Sequence, residues 1–240
     1  MNNKKLIKVV GSGPVGSISA IALSRLGYDI EIYDKKSKED LLNLSRAYAI
    51  THSTRKLLEN LEIWPHLNQY LNPFEKLRII DRQINKDILF GANDLVRKNS
   101  TTNCIGWIID HRELMGVLLD VIDNSTNIEK KDKNININED NNTFKLVACD
   151  INKNSNNLFG LKRFRHNYRQ GCLSMKVLLR GTERKCSYEI FRKEGPLAIL
   201  PMGNGLYQVV WSDLYKKCVQ RTYFSKQLLL DHLSSILPVG

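Results

Sequence analysis

Apolar and polar positions along the chain fall into short blocks. Residues 5–10 form a β-rich run, Lys5-Leu6-Ile7-Lys8-Val9-Val10, that stops at a turn of glycine and proline. Residues 17–26 follow at helical spacing, and Gly27 supplies the left-handed stop that helix ends favour. In residues 28–33 the alternation puts Ile30 and Ile32 on one face. Two parallel strands joined by a crossover helix are therefore predicted.

Further on, a helix is predicted over 51–61, with Leu57, Leu58 and Leu61 apolar and Trp64-Pro65 closing it. Strands are expected within 77–90, separated by Asn85-Lys86-Asp87. A second helix is expected over 110–122, with Leu114, Val117, Leu118, Val121 and Ile122 as its stripe. Residues 124–142 are rich in Asn, Lys, Asp and Glu and read as a polar loop or weak hairpin. A buried strand at 144–148 is expected, then strands at 172–179 and 188–191. A hairpin over 197–201 and 207–211 turns at Gly203-Asn204-Gly205, and a final helix covers 224–237.

Composition narrows the class. At 240 residues, 42% hydrophobic and 25% charged, the chain can bury a core, and disordered or fibrous classes are excluded. No apolar run reaches the ~18–20 residues of a membrane span. Lys8 interrupts and Gly11 ends the first apolar stretch, so no signal peptide is expected. The five cysteines, Cys104, Cys149, Cys172, Cys186 and Cys218, form no C-x-x-C pair and are odd in number. Neither a disulfide framework nor a metal site is expected, and the reducing cytoplasm is the expected compartment.

Net charge is +11 and unevenly spread, with 17 basic and 14 acidic side chains in residues 1–120 and 19 and 11 in 121–240. Residues 161–193 hold ten Lys or Arg against Glu183 and Glu189. This stretch reads as a solvated surface, as an attraction to anionic membrane lipids, or as a nucleic-acid patch. No nucleic-acid-binding module accompanies the charge, so nucleic acid is not an expected partner.

The candidate chemistry sits in Gly11-Ser12-Gly13-Pro14-Val15-Gly16, a G-x-G-x-x-G directly after a predicted strand and at the start of a predicted helix. Gly11 permits the tight turn, Gly13 lets backbone approach a pyrophosphate, and Gly16 lets helix and strand pack closely. The helix N-terminus then offers N–H groups to phosphates. Asp34, at the end of the second strand, can accept hydrogen bonds from the adenosine ribose. A carboxylate there repels a 2′-phosphate, so the nucleotide expected is FAD or NAD rather than NADP.

Several segments, in order, resemble class A FAD-dependent aromatic monooxygenases, and more narrowly the ubiquinone-biosynthesis hydroxylases of the 2-polyprenyl-6-methoxyphenol type. They are the stretch from Gly11 to Asp34; Ser45-Arg46-Ala47-Tyr48-Ala49-Ile50 with Leu61-Glu62-Ile63-Trp64; and Ile108-Ile109-Asp110-His111-Arg112-Glu113-Leu114. Leu146-Val147-Ala148-Cys149-Asp150 follows, then Tyr188-Glu189-Ile190-Phe191 running into Gly195-Pro196-Leu197-Ala198-Ile199-Leu200-Pro201.

The resemblance implies an α/β fold, α+β overall. A Rossmann-like FAD-binding βαβ domain (1–64 and 104–160) would be joined to a mostly antiparallel β-sheet substrate domain (65–103 and 161–240). It implies that Arg46 and Arg112 lie along the flavin cofactor and that Asp150 helps to hold it; from the residues alone, both arginines also read as surface charges. The implied reaction is hydroxylation of a prenylated phenol ring in quinone biosynthesis, with FAD as cofactor, NAD(P)H as co-substrate and O2. A small-molecule aromatic partner follows. So does a place in the cytoplasm or at the inner face of the plasma membrane, with a homo-oligomer or biosynthetic complex left open.

Two features depart from the family pattern. Asp150 is followed by Ile151 where the family has glycine, and a Gly-Asp-Ala-Ala-His-type segment does not occur before Gly240, so a shortened member is expected. A non-catalytic nucleotide-binding fragment, retained as an assembly partner, and an NAD-dependent dehydrogenase are the alternative readings. No catalytic acid or base is singled out. His111 reads as a capping or surface residue, and His52 and His66 as isolated. Tyr188, Phe191, Tyr207 and Trp211 read either as a substrate-facing wall or as the filling of a sheet core.

Overall fold

The computed structural model describes residues 5–95, 103–132, 143–149, 164 and 166–238. In chain order the elements are β1 (Leu6–Val10), α1 (Pro14–Arg25), β2 (Asp29–Tyr33), α2 (Lys38–Leu42), β3 (Ala47–Ile50), α3 (His52–Asn60) and α4 (Trp64–Leu67). Next come β4 (Asn72–Phe74), β5 (Lys76–Asp81), β6 (Lys86–Gly91), β7 (Gly106–Asp110), α5 (His111–Asp123), β8 (Ile128–Lys131) and β9 (Phe144–Val147). The last are β10 (Gln170–Leu178), β11 (Cys186–Phe191), β12 (Leu197–Pro201), β13 (Leu206–Leu214), α6 (Tyr215–Arg221) and α7 (Lys226–Ser234).

Two compact units result, each gathered from three stretches of chain. The first is Met1–Leu44, Ser53–Tyr70 and His111–Arg165; the second is Ser45–His52, Leu71–Asp110 and His166–Gly240.

The first unit is a parallel sheet of order β8-β2-β1-β9. Alternation in β1 and β2 buries Ile7, Val9, Ile30 and Ile32. Helix α1 covers this sheet with Ala20 and Ile21, and α5 packs beside it through Leu114, Met115, Leu118, Leu119 and Ile122. Gly27, at φ +88°, ends α1 in the left-handed conformation. Ser37 and Asp40 close a reciprocal capping box at the start of α2, with the Asp40 N–H donating to Ser37 Oγ at 3.1 Å.

The second unit holds two sheets, β10-β13-β12-β11-β5-β6 and the antiparallel β3-β7-β4. In the larger one every pair is antiparallel except β11 with β5. Its core joins Cys186, Tyr188, Ile190, Leu197, Ile199, Tyr207, Val209 and Trp211 to Leu233 of α7. The α/β architecture is as the resemblance implies and the β12–β13 hairpin as the pattern predicts, with Gly203, Asn204 and Gly205 all at positive φ.

Several expectations are corrected. Residues 128–131, inside the predicted polar loop, are an edge strand in which Ile128 alone is buried, beside Ile30. Most of the rest of that loop, 133–142, lies outside the described residues. Phe144 is 71% exposed, and β9 stands at the edge of the sheet among the described residues, so it is not a buried strand. Leu57 points to solvent and only Leu58 and Leu61 of its stripe are buried. Trp64-Pro65 opens α4 instead of closing α3, since proline fits a first helical turn. Lys86 and Asp87 belong to β6, where Asp87 pairs with Arg78 across the hairpin. Asp110 ends β7 and not the helix that follows.

Tyr188, Tyr207 and Trp211 fill the sheet core, whereas Phe191 is half exposed. Part of the basic stretch is partnered: Lys176 pairs with Asp110, and Lys185 with Glu75 at 2.6 Å. Lys162, Arg163 and Arg165 lie outside the described residues. Among the described residues no helix is long and apolar enough to cross a membrane.

Candidate functional site

In the first unit the chain leaves β1 at Val10 and turns sharply into α1. Gly11 stands at φ +100°, its N–H donating to the Tyr33 carbonyl at 2.8 Å, and a β-carbon here would lie 2.6 Å from the Ala148 carbonyl oxygen. The chain beyond β9 thus passes directly beside the turn, tied there by the Ala148 N–H to Val10 O at 2.7 Å. A β-carbon on Gly16 would lie 1.8 Å from the Gly11 carbonyl oxygen, so helix and turn approach as only glycine allows. At Gly13 a β-carbon would meet nothing within 4 Å. That open space lies where a pyrophosphate needs backbone without a side chain.

Pro14 begins α1, no side chain caps its N-terminus and no acidic residue sits in its first turn. The positive end of the helix dipole and the N–H groups of its first turn therefore favour an anion. Val15 is exposed and Ser12 is buried. Ser17 Oγ donates to the Ser12 carbonyl at 2.8 Å and fixes the loop from within the helix. Nothing in the glycine pattern points to Ser17; its burial on the sheet side of α1 is the signal.

Asp34, just after β2, accepts from the Ser12 N–H at 2.8 Å and from Ser12 Oγ at 3.0 Å, both at Oδ2, while the Lys36 N–H donates to Oδ1 at 3.0 Å. A carboxylate has roughly four acceptor positions, so these three bonds leave capacity for a hydroxyl. Asp34 therefore shapes the loop and retains room to accept from a sugar. The loop, the helix end and this carboxylate together fit the diphosphate and ribose of a dinucleotide such as FAD.

The other residues singled out are placed as follows. Arg112 is exposed in the first turn of α5, its Nη1 donating to Asn43 Oδ1 at 3.3 Å. Arg46 belongs to the second unit, exposed ahead of β3. Burial raises the Tyr48 phenol pKa there, and the charge and hydrogen bond of Arg46 oppose the rise. Asp150 and the segment after it lie outside the described residues.

His111 is buried, not a surface residue; its Nε2 donates to the Leu41 carbonyl at 2.7 Å and ties α5 to α2. His52 is not isolated either, bonding the Cys104 carbonyl at 2.9 Å and meeting Trp107 edge-on. His66 is exposed. No cluster of three His, Cys, Asp or Glu that could hold a metal occurs among the described residues.

No family model matches the chain. Among curated proteins it is similar to the human mitochondrial ubiquinone biosynthesis monooxygenase COQ6, with 24% identity over 95% of this chain and 55% of the relative. It is likewise similar to the ubiquinone hydroxylase UbiL of Rhodospirillum rubrum, with 24% identity over 98% of this chain and 59% of the relative. The chain thus spans little more than half the length of these relatives.

Among solved structures it matches p-nitrophenol 4-monooxygenase PnpA from Pseudomonas putida, with a TM-score of 0.74 at 14% identity over 97% of this chain and 62% of that one. It also matches a variant of Klebsiella pneumoniae HpxO complexed with FAD, with a TM-score of 0.70 at 14% identity over 98% and 66%. The βαβ unit with its glycine turn and the antiparallel sheets together give this chain the fold of FAD-dependent monooxygenases.

Proposed function

We propose that the chain binds FAD through its first unit and serves the hydroxylation of an aromatic ring, that of a prenylated phenol in quinone biosynthesis, with NAD(P)H and O2. The observation that carries this reading is the joint geometry of the loop: open space at Gly13, an uncapped helix end and Asp34 braced by Ser12. The ubiquinone hydroxylases among the relatives support the substrate class.

FAD, when bound, supplies the redox chemistry and the activation of dioxygen. The chain's own residues bind and orient it. The N–H groups of Gly13, Val15 and Gly16 hold the diphosphate, with Ser12 keeping the loop in shape and Pro14, which has no N–H, starting the helix. Asp34 accepts from the ribose, and Arg112 and Asp150 contribute to the cofactor's phosphate and ribityl contacts. The second unit takes the substrate. An isoprenoid tail resides in a bilayer, so the same reading places the chain against the inner face of the plasma membrane, with basic side chains toward anionic lipid.

The test is the absorbance spectrum of the purified protein and a flavin fluorescence titration, followed by nicotinamide oxidation with and without a prenylated phenol. Bound flavin, phenol-stimulated oxidation and a product one oxygen heavier are expected. A colourless protein that takes up no FAD overturns the reading. A flavoprotein that never oxygenates the phenol retains the cofactor assignment and removes the reaction.

A further inference from the structure

An open cleft of about 610 Å³ lies wholly within the second unit, away from the dinucleotide loop in sequence and built by other elements. Arg192 follows β11, Trp211 is in β13, and Arg221 ends α6. All three side chains line the cleft, and each has a buried N–H without a hydrogen-bond partner among the described residues: Arg192 Nε, Trp211 Nε1 and Arg221 Nη1. A buried donor left unpaired is costly, so three at one cleft point to a ligand with acceptor oxygens.

The groups are held in place. Arg221 Nη2 donates to Asp213 Oδ2 at 2.5 Å, and its guanidinium carbon lies 4.1 Å from the Trp211 ring centroid. Arg192 Nη2 donates to the Ser212 carbonyl at 3.1 Å, and its guanidinium lies 6.0 Å from the same ring. Trp211 is 2% exposed, so its indole is fixed by the core, with the two guanidinium groups near its ring.

The charge balance points the same way. Among the described residues that line the cleft, Arg82, Arg192, Arg221, Lys193 and Lys217 stand against Glu194 and Asp213, an excess of three positive charges. Arg82 also donates to the carbonyls of Ile236 and Leu237, at 2.8 and 3.0 Å, and so fastens the segment after α7 to the rim. Burial pushes the Arg192 pKa down against the pull of Glu194 and Asp213, a cost that an anion would relieve.

From the unpaired donors and the charge excess we infer that this cleft is a binding site for a phosphoryl oxyanion, free or carried on a small molecule or lipid headgroup. Planar guanidinium and indole donors suit such a group, and its double charge suits the excess.

The experiment titrates the full chain with inorganic phosphate at constant ionic strength, set by chloride, and reads Trp fluorescence and calorimetric heat. Arg221→Gln would leave the buried Asp213 unpaired and could unfold the unit, so Arg192→Gln and Trp211→Phe are the informative variants. Saturable phosphate binding is expected, weakened about tenfold or more by Arg192→Gln and about threefold to tenfold by Trp211→Phe.

Lys216→Glu, an exposed position outside the cleft, should change affinity less than about twofold. Co-sedimentation with phosphatidylcholine vesicles containing phosphatidic acid distinguishes the source. Binding that Arg192→Gln abolishes assigns the phosphoryl group to a lipid, and phosphate binding without vesicle binding assigns it to a soluble compound. No saturable binding of either, or equal losses in Arg192→Gln and Lys216→Glu, overturns the site.

Discussion

The carbonyl oxygen of Gly11 lies 1.8 Å from where a β-carbon on Gly16 would stand, while Gly13 between them faces nothing within 4 Å. Two glycines of one motif therefore do different work. Gly16→Ala forces the turn and helix apart and should cost about 1–3 kcal/mol, read as a lower melting temperature. Gly13→Ala should change stability by less than about 1 kcal/mol, because φ −65° suits any residue. Flavin affinity should nevertheless fall about tenfold. A Gly13→Ala protein that binds FAD as the parent does would separate the loop from the cofactor.

Asp34 links loop and sugar. Asp34→Asn removes the charge that strengthens its hydrogen bonds, and a flavin titration should show about 1.5–3 kcal/mol less binding free energy. The same change should relax rejection of 2′-phosphorylated dinucleotides, measured by competition. Ser12→Ala keeps the backbone bond to Asp34 and should have the smaller effect.

The Asp213–Arg221 pair predicts an acid limb of unfolding. Burial alone would raise the Asp213 carboxyl, but the hydrogen bonds from Arg221 and the Leu214 N–H, with the charges of Arg221 and Lys217, hold its pKa below the ordinary value. A lowered folded-state pKa gives stability that is present above the unfolded value of about 3.9 and is lost as pH falls through the folded one. Asp213→Asn should destabilise the neutral protein by about 3–5 kcal/mol, since it strands Arg221, and should flatten the stability curve below about pH 4.

Glu189 behaves in the opposite sense. In β11 its carboxyl is partly buried, and burial raises its pKa. A raised pKa means stability that is full below about 4.3 and is lost as pH rises through the folded value. Glu189→Gln should therefore raise the melting temperature at neutral pH and leave it nearly unchanged in acid, by thermal denaturation at both pH values.

What the sequence disclosed was local. The turn from Val10 to Gly16, α1 and β2 were legible because strand period, glycine spacing and helix stop occur within one stretch, and Asp34 follows from the end of β2. The sheet β3-β7-β4 was not, because its strands are three to five residues long and pair with partners far along the chain. Strand β8 was hidden by Glu129-Lys130-Lys131, since an edge strand needs only Ile128 to face inward. The cleft of Arg192, Trp211 and Arg221 had no linear signature. Its three members come from separate elements, and Trp211 shows in sequence only as one more aromatic residue.

The parallel pairing of β5 with β11 has a consequence for how the chain is made. Lys76 meets Cys186 and Asp81 meets Phe191, so the β5–β6 hairpin leaves the ribosome long before its neighbour exists. Until then one side of β5 is an unsatisfied edge beside Ile88, Leu89 and Phe90, all exposed even in the finished fold. The second unit thus completes only after β11 to β13 have been made, and until then its early hairpin presents an unpaired edge that a chaperone can cover.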